Sequence, residues 1–139
     1  MNMDDLPITE FAFPGPLRDQ LVAAILSGAK TSTTGLVLWY EIDDEPLPEV
    51  GKREAVVDSA GERVAVIETT DVRVLRIADV DLQHAIDEGE GDETVASWRA
   101  AHEDFFQSEQ AREALGDPGF TVTDDTLVVA ERFRLVYKA

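Results

Sequence analysis

Gly28-Ala29-Lys30-Thr31-Ser32-Thr33-Thr34-Gly35 is the stretch on which the reading of this chain turns. One lysine stands beside four consecutive hydroxyl side chains, between two glycines. Upstream, Leu17, Leu21, Ala24 and Ile25 recur at i, i+4, i+7 and i+8, which predicts an amphipathic helix. Pro16 suits the first turn of that helix and Gly28 suits its end. Downstream, Leu36-Val37-Leu38-Trp39-Tyr40 predicts a buried strand. The glycine-bounded segment is therefore the passage from a helix into a sheet.

Further along, residues 41–49 form an acidic, proline-containing loop. Ala55-Val56-Val57 and Arg63-Val64-Ala65-Val66-Ile67 flank a glycine-containing turn and predict a hairpin. The β-branched content continues through Thr69, Thr70, Val72, Val74 and Ile77, as one long bent strand or two in succession. Asp79 is the expected cap of a short helix ending near 87, and Asp92 of a longer one with Val95, Trp98, His102, Phe105 and Phe106 on one face. Residues 113–125 read as a loop, and 126–137 as the closing strand or strands. Short strands flanked by helices predict an α+β fold whose sheet is a partly closed β-barrel.

Composition narrows the function. The chain has 139 residues, enough for one core, with 12 basic against 29 acidic side chains, a formal charge of −17. A polyanion is repelled by such a surface, because nucleic-acid binding gains affinity from lysine and arginine contacts. A small ligand is favoured over a long polymer. No cysteine is present, which excludes disulfides, thiolate metal sites and a cysteine nucleophile. No apolar run approaches the ~20 residues that span a bilayer. The opening residues lack a signal-peptide pattern, so the expectation is a cytoplasmic protein, with no membrane partner. Residues 1–9 are expected to be a flexible N-terminus and 10–139 the domain.

Three features could carry chemistry. Lys30 beside Thr31, Ser32, Thr33 and Thr34 could serve as base to a hydroxyl nucleophile, or bind a phosphate or carbonyl oxygen. Alternatively these hydroxyls satisfy free backbone groups at a helix end. The order of a phosphate-binding P-loop is absent. In Glu88-Gly89-Glu90-Gly91-Asp92, a carboxylate between glycines can approach a ligand closely, or the segment is a solvated acidic turn. His102, at helical spacing from Trp98 and Phe105, belongs on a buried face. His84 and His102 have no metal-binding spacing, so neither metal nor cofactor is implied. Trp39 or Tyr40 could stack a base, and in a strand they face opposite ways, so only one does so. Arg99 and Arg132 neutralise acids or line the pocket.

Leu26-Ser27-Gly28-Ala29-Lys30-Thr31-Ser32-Thr33 also resembles the Gly-x-Lys-Thr-x-Thr signature of the ASCH domain family. Residues 45–51, 88–92, 98–106 and 129–137 follow in the family's order, so the resemblance covers roughly 10–138, nearly the whole chain. It implies a PUA-like β-barrel with flanking helices, and a cleft for RNA or a modified nucleoside. A smaller bacterial relative hydrolyses the acetyl amide of acetylcytidine with a lysine, a threonine and a glutamate. Carried over, these fall on Lys30 as base, Thr33 as nucleophile and Glu90 as orienting or proton-carrying acid, with Glu88 the alternative to Glu90. Thr31, Ser32, Trp39, Tyr40, Arg53, Arg99, His102 and Arg132 are the implied substrate contacts. The relative continues with Ile-Arg where this chain has Thr34-Gly35, so an arginine near the pocket is lost. The expected ligand is a small nucleoside-like molecule or single-stranded RNA. The alternatives are a non-catalytic RNA-binding regulatory module using Lys30, Arg53, Arg99 and Arg132, or a ribonuclease using Glu90 or His102 in the same cleft.

Overall fold

In the computed structural model, which describes residues 2–139, the elements run in chain order as follows. They are β1 (Ile8–Thr9), α1 (Pro16–Ser27), β2 (Ser32–Leu36), α2 (Val37–Ile42), β3 (Arg53–Val57), β4 (Arg63–Arg76), α3 (Leu82–Asp87), α4 (Val95–Phe106), α5 (Glu109–Leu115) and β5 (Leu127–Lys138). Single 3-10 turns lie at Met3–Asp5 and Ile77–Asp79. The strands make one sheet in the order β1-β3-β4-β5-β2. Ile8 and Thr9, ahead of the expected domain start, pair in parallel with Ala55 and Val56, and the other pairings are antiparallel.

The α+β, PUA-like fold with flanking helices stands, but the edge strands β1 and β2 do not pair, so the sheet is not closed into a barrel. The β-branched run 63–76 is one strand, not two. Its register against β5 shifts between Val66 and Ile67 and again between Thr69 and Asp71, and such bulges bend a strand without ending it.

Two apolar cores sit against this sheet. Leu21, Val22 and Ile25 of α1 pack with Phe11, Val56, Ala65, Ile67 and Phe133. Trp98, Phe106 and Leu115, from α4 and α5, pack with Leu36, Ile77, Val80, Ala85 and Val128. The chain thus leaves a seam between the α1 side and the α4–α5 side.

Several local expectations are corrected. The apolar run after Gly35 is a strand only through Leu36, and Val37–Ile42 turns into α2. A short apolar run fits a buried strand or a helical turn equally well, and here Trp39 sets its ring edge-on to Phe105 and Phe106 at 6.3 and 5.3 Å. The buried face of α1 is Arg18, Leu21, Val22 and Ile25, while Leu17 is exposed. Arg18 goes inside because its guanidinium donates to the carbonyls of Phe11 and Ala12 at 3.2 and 2.8 Å. The caps of α3 and α4 are Asp81 and Thr94, whose side chains accept from His84 N and Ser97 N, in place of Asp79 and Asp92. The expected loop begins later, because α5 holds Glu109–Leu115 and ends at Gly116, whose φ is +69°.

Candidate functional site

The site begins with a contact that tolerates no side chain. Gly89 has φ +70°, and a Cβ placed on it would lie 2.4 Å from the Ala29 carbonyl oxygen and 2.9 Å from Lys30 N. Only glycine permits this approach. It presses the turn after α3 onto the turn before β2. Thr31 N donates to Asp87 O at 2.8 Å and Ser32 Oγ donates to His84 O at 2.9 Å, which fixes the same juncture.

Lys30 is consequently carried inside, its side chain 1% exposed. Its Nζ donates to Glu88 O at 3.3 Å and lies 3.5 Å from Glu88 Oε1 and 3.9 Å from Glu90 Oε2. Glu88, equally enclosed at 2% exposure, is the hub. Its Oε2 accepts from Trp98 Nε1 at 2.5 Å and from Thr34 Oγ1 at 2.9 Å, and its Oε1 faces His102 Nε2 at 3.2 Å. His102 Nδ1 lies 2.8 Å from the Trp98 carbonyl, and its ring stacks on the Trp98 indole at 4.2 Å. Both ring nitrogens of His102 therefore face acceptors, the arrangement that suits an imidazolium.

The neighbouring histidine is held neutral by the same logic. Thr34 has one hydroxyl proton and gives it to Glu88, so His84 Nε2, 2.8 Å from Thr34 Oγ1, must be the donor. His84 Nδ1 is then the bare nitrogen, and it is buried with no hydrogen-bond partner among the described residues. A relay runs from His84 through Thr34 to Glu88.

Electrostatics separates the two carboxyls. Burial would push Glu88 up, but the His102 hydrogen bond, the charges of Lys30 and His102 and the Trp98 N–H outweigh it and hold Glu88 well below the usual carboxylate range. Glu90 goes the other way: burial raises it, and the Lys30 charge, partly offset by that of Glu88, does not bring it back. Burial lowers His102, yet the hydrogen bond to Glu88 and the charge behind it give a net upward shift. Burial leads the downward shift of His84. The result is a carboxyl at Glu88 that favours its anion beside one at Glu90 whose affinity for a proton is raised.

This cluster opens into a cavity of about 710 Å³ at the seam between the two cores. Lys30, Thr33 and Glu90 all line it, as do Trp39, Tyr40, Glu88 and His102. Because α2 is a helix, Trp39 and Tyr40 both reach the cavity; the opposite-face argument assumed a strand. Thr31, Ser32, Arg53, Arg99 and Arg132 do not line it. Ser32 is spent on the His84 carbonyl, Arg53 is on Glu68 at 2.8 Å, Arg99 on Glu103 and Asp124, and Arg132 on Asp87 at 2.6 Å.

Thr34, His84 and Trp98 escaped sequence reasoning as members of the network, and so did two acids of the cavity wall, Glu54 and Glu131. Glu131 had a legible signal, an acid directly after the apolar run Leu127-Val128-Val129-Ala130, and it lies opposite Thr33 in the β2–β5 pairing. One grouping has metal-ligand composition: Glu88, Glu90 and His102 present donor atoms within 4.8 Å of one another. The Lys30 ammonium already stands between the two carboxylates, where a cation would sit.

Comparison with known proteins agrees with this architecture. A structure of a protein from Enterococcus faecalis V583 superimposes with a TM-score of 0.80 at 26% identity, over 94% of this chain and 76% of that one. An ASCH domain from Lactobacillus crispatus JV V101 gives 0.77 at 30% identity, over 94% and 80%. A tyrosine-to-phenylalanine variant of ZmASCH from Zymomonas mobilis gives 0.53 at 14% identity, over 95% and 73%, a likeness of fold. No curated protein matches the chain. Among the described residues no helix is long and apolar enough to cross a membrane. The ASCH domain family matches residues 10–137, and the chain belongs to that family.

Proposed function

We propose that the cavity at Lys30 binds a small acylated nucleoside or a similar amide and hydrolyses its acyl-amide bond. The observation that carries this reading is that Lys30, Thr33 and Glu90 line one cavity, although the glutamate is distant in sequence. Lys30 rests as an ammonium between two carboxylates. Passing one proton to Glu90, whose proton affinity burial raises, frees the amine to accept the Thr33 hydroxyl proton. Thr33 Oγ1 then bonds to the acyl carbon, the C–N bond breaks, and the leaving nitrogen takes a proton from the Lys30–Glu90 pair. Water hydrolyses the resulting ester and restores Thr33. Glu88 stays ionised throughout and holds Lys30 in place, and Trp39 and Tyr40 supply the aromatic wall for a base.

A small ligand is favoured over single-stranded RNA because the arginines that would meet a phosphate backbone are paired with acids away from the cavity. The test is incubation with acetylcytidine, following deacetylation. Turnover by the wild type and its loss in Lys30→Ala is the expected result; no turnover, or equal turnover in the variant, overturns the proposal. RNA binding that weakens steeply with salt would favour the RNA-binding module instead.

A further inference from the structure

The cavity has two unlike sides. From the sheet and α2, Thr33, Tyr40 and Glu131 give it a polar wall. From the helices the wall is apolar. Leu17 and Leu21, one turn apart on α1, line it, as do Ala101 and Phe105, one turn apart on α4, and Ala114 and Leu115 of α5. Among the described residues, Arg18 and His102 are the only polar side chains that these three helices bring to the cavity, and both are engaged. Arg18 donates to the carbonyls of Phe11, Ala12 and Asp58 and pairs with Glu10 at 3.5 Å. His102 spans Glu88 and the Trp98 carbonyl. The helix side therefore offers a ligand no free hydrogen-bonding side chain.

Leu17 marks this side as unfilled. It holds an apolar position in the α1 repeat, yet it joins neither core, is 41% exposed and lines the cavity. The apolar side is continuous with the Lys30 cluster. His102, which meets Glu88 at 3.2 Å, lies between Ala101 and Phe105 in the chain of α4. Trp39 sets its ring edge-on to Phe105 at 6.3 Å, and Phe13 brings its ring within 5.8 Å of Phe105, joining the segment before α1 to α4 across the seam. A cavity of about 710 Å³ lies within the range of about 300–1,000 Å³ that houses drug-sized ligands, and an acetyl group places a single methyl beyond its carbonyl. Water against an apolar wall is released favourably by an apolar group, whereas a polar group placed there loses its hydrogen bonds.

We propose that the helix side, between Leu17 and Leu21 of α1 and Ala101 and Phe105 of α4, is an acyl subsite, so that the preferred substrate carries an aliphatic acyl chain of about six carbons in place of acetyl. This assignment rests on the acyl-amide reading of the same cavity and adds the size of the acyl group. With the reacting carbonyl at Lys30 and Thr33, the chain runs along the helices and the polar remainder of the molecule stays on the sheet side with Tyr40 and Glu131. Each methylene buried against such a wall is worth about fourfold in affinity, so four methylenes beyond acetyl reach about two hundredfold when fully covered. Because Leu17 and Ala101 are themselves exposed, cover is partial, and at least about tenfold is expected.

The test separates binding from chemistry. Hexylcytidine and ethylcytidine, alkylated on the exocyclic amine, have no carbonyl to attack and are titrated calorimetrically into wild type, Leu17→Gln and Ala101→Gln. Wild type is expected to bind the hexyl compound at least about tenfold more tightly than the ethyl compound. Each variant is expected to cut that advantage to about threefold or less while holding ethyl affinity within about twofold, since the polar amide takes the path of the chain. Equal affinity for the two compounds, no binding of the hexyl compound, or a full advantage in both variants overturns the proposal. Both substitutions are at exposed positions, and should one variant fail to fold the other carries the comparison. In turnover, hexanoylcytidine should exceed acetylcytidine in kcat/KM by at least about tenfold, and faster turnover of acetylcytidine overturns the proposal. A protein that shows the hexyl advantage and hydrolyses neither acyl compound keeps the apolar subsite and loses the proposed chemistry, so the two failures are distinct.

Discussion

Replacing Glu88 by alanine removes the anion around which the site is assembled. The carboxylate is 2% exposed and receives Trp98 Nε1, Thr34 Oγ1 and His102 Nε2. It also neutralises Lys30 at 3.5 Å. After truncation the Lys30 ammonium keeps the backbone carbonyl of residue 88 and, as its charge partner, Glu90 at 3.9 Å, whose own affinity for a proton is raised. Removing one partner of a buried charge pair costs about 3–5 kcal/mol. The three orphaned donors would each add about 1–3 kcal/mol if they acted alone. They share one space with the lost charge, so the terms overlap and the sum overcounts. The expected loss is therefore about 3–5 kcal/mol, against a total of about 5–15 kcal/mol for a domain. At about 3–4 °C per kcal/mol for a chain of this size, the melting midpoint falls by roughly 10–20 °C. Lys30→Met should cost less, because Glu88 keeps the His102, Thr34 and Trp98 donors. The assay is thermal unfolding followed by circular dichroism, repeated across pH. Because Glu88 binds protons less readily folded than unfolded, its contribution is present above the ordinary value of about 4.3 and fades as pH falls through the depressed folded value. The wild-type advantage should narrow on acidification. A fall of less than about 3 °C at neutral pH, or a Lys30→Met variant less stable than Glu88→Ala, would refute the reasoning.

Gly89→Ala should destabilise by about 2–4 kcal/mol, read by urea unfolding, because a Cβ meets the Ala29 backbone and φ is positive; an effect under about 1 kcal/mol would mean that the two turns part easily. Thr34→Val strips the acceptor from His84 Nε2 and a donor from Glu88, so stability should fall by about 2–3 kcal/mol. Thr33→Val should leave the melting midpoint within about 2 °C and abolish deacylation, whereas a Thr33 variant that still turns over acetylcytidine excludes it as nucleophile. Glu90 must be ionised to take the Lys30 proton, so kcat should fall on acidification through its raised value, and Glu90→Gln should abolish that acid limb. An unchanged pH profile in Glu90→Gln assigns the proton transfer elsewhere.

Much of the fold was legible because it is written in local signals. Pro16 and Gly28 bracket α1 as expected, and the β-branched runs mark β3, β4 and β5. What failed lacked such a signal or was decided by distant contacts. The run from Leu36 to Tyr40 has no periodicity, and it becomes helix because Trp39 packs on Phe105 and Phe106 more than sixty residues on. α5 was hidden by the turn that follows it, although Ser108 caps Ala111 N and Gly116 ends it in the left-handed region. Lys30 stood out in the sequence, and so did a carboxylate near 88–90. Which carboxylate serves as anchor depends on the positive φ of Gly89 and on an indole N–H at Trp98, and neither can be read from local spacing. The arginines were visible as cations but not their partners, since Arg132 meets Asp87 and Arg99 meets Asp124 far along the chain.

The threonine pair shows how the proposed chemistry fits so crowded a network. Successive residues of a strand face opposite ways, so Thr33 and Thr34 cannot share a task. Thr34 is buried in the His84–Glu88 relay with its one proton committed. Thr33 pairs with Glu131 across the strands, on the face of the sheet that carries the acidic wall. Its hydroxyl makes no hydrogen bond among the described residues, which leaves it available for the proposed attack. A one-residue slip of β2 against β5 would exchange these positions, leaving the relay without its hydroxyl and the cavity without the proposed nucleophile. Five consecutive pairings, from Ser32 with Arg132 to Leu36 with Val128, and the Gly89 contact at the strand's start, fix that register. The close packing at Gly89 therefore serves the cavity as much as the fold: it determines which of two adjacent threonines joins the His84–Glu88 relay and which keeps its hydroxyl uncommitted at the cavity wall.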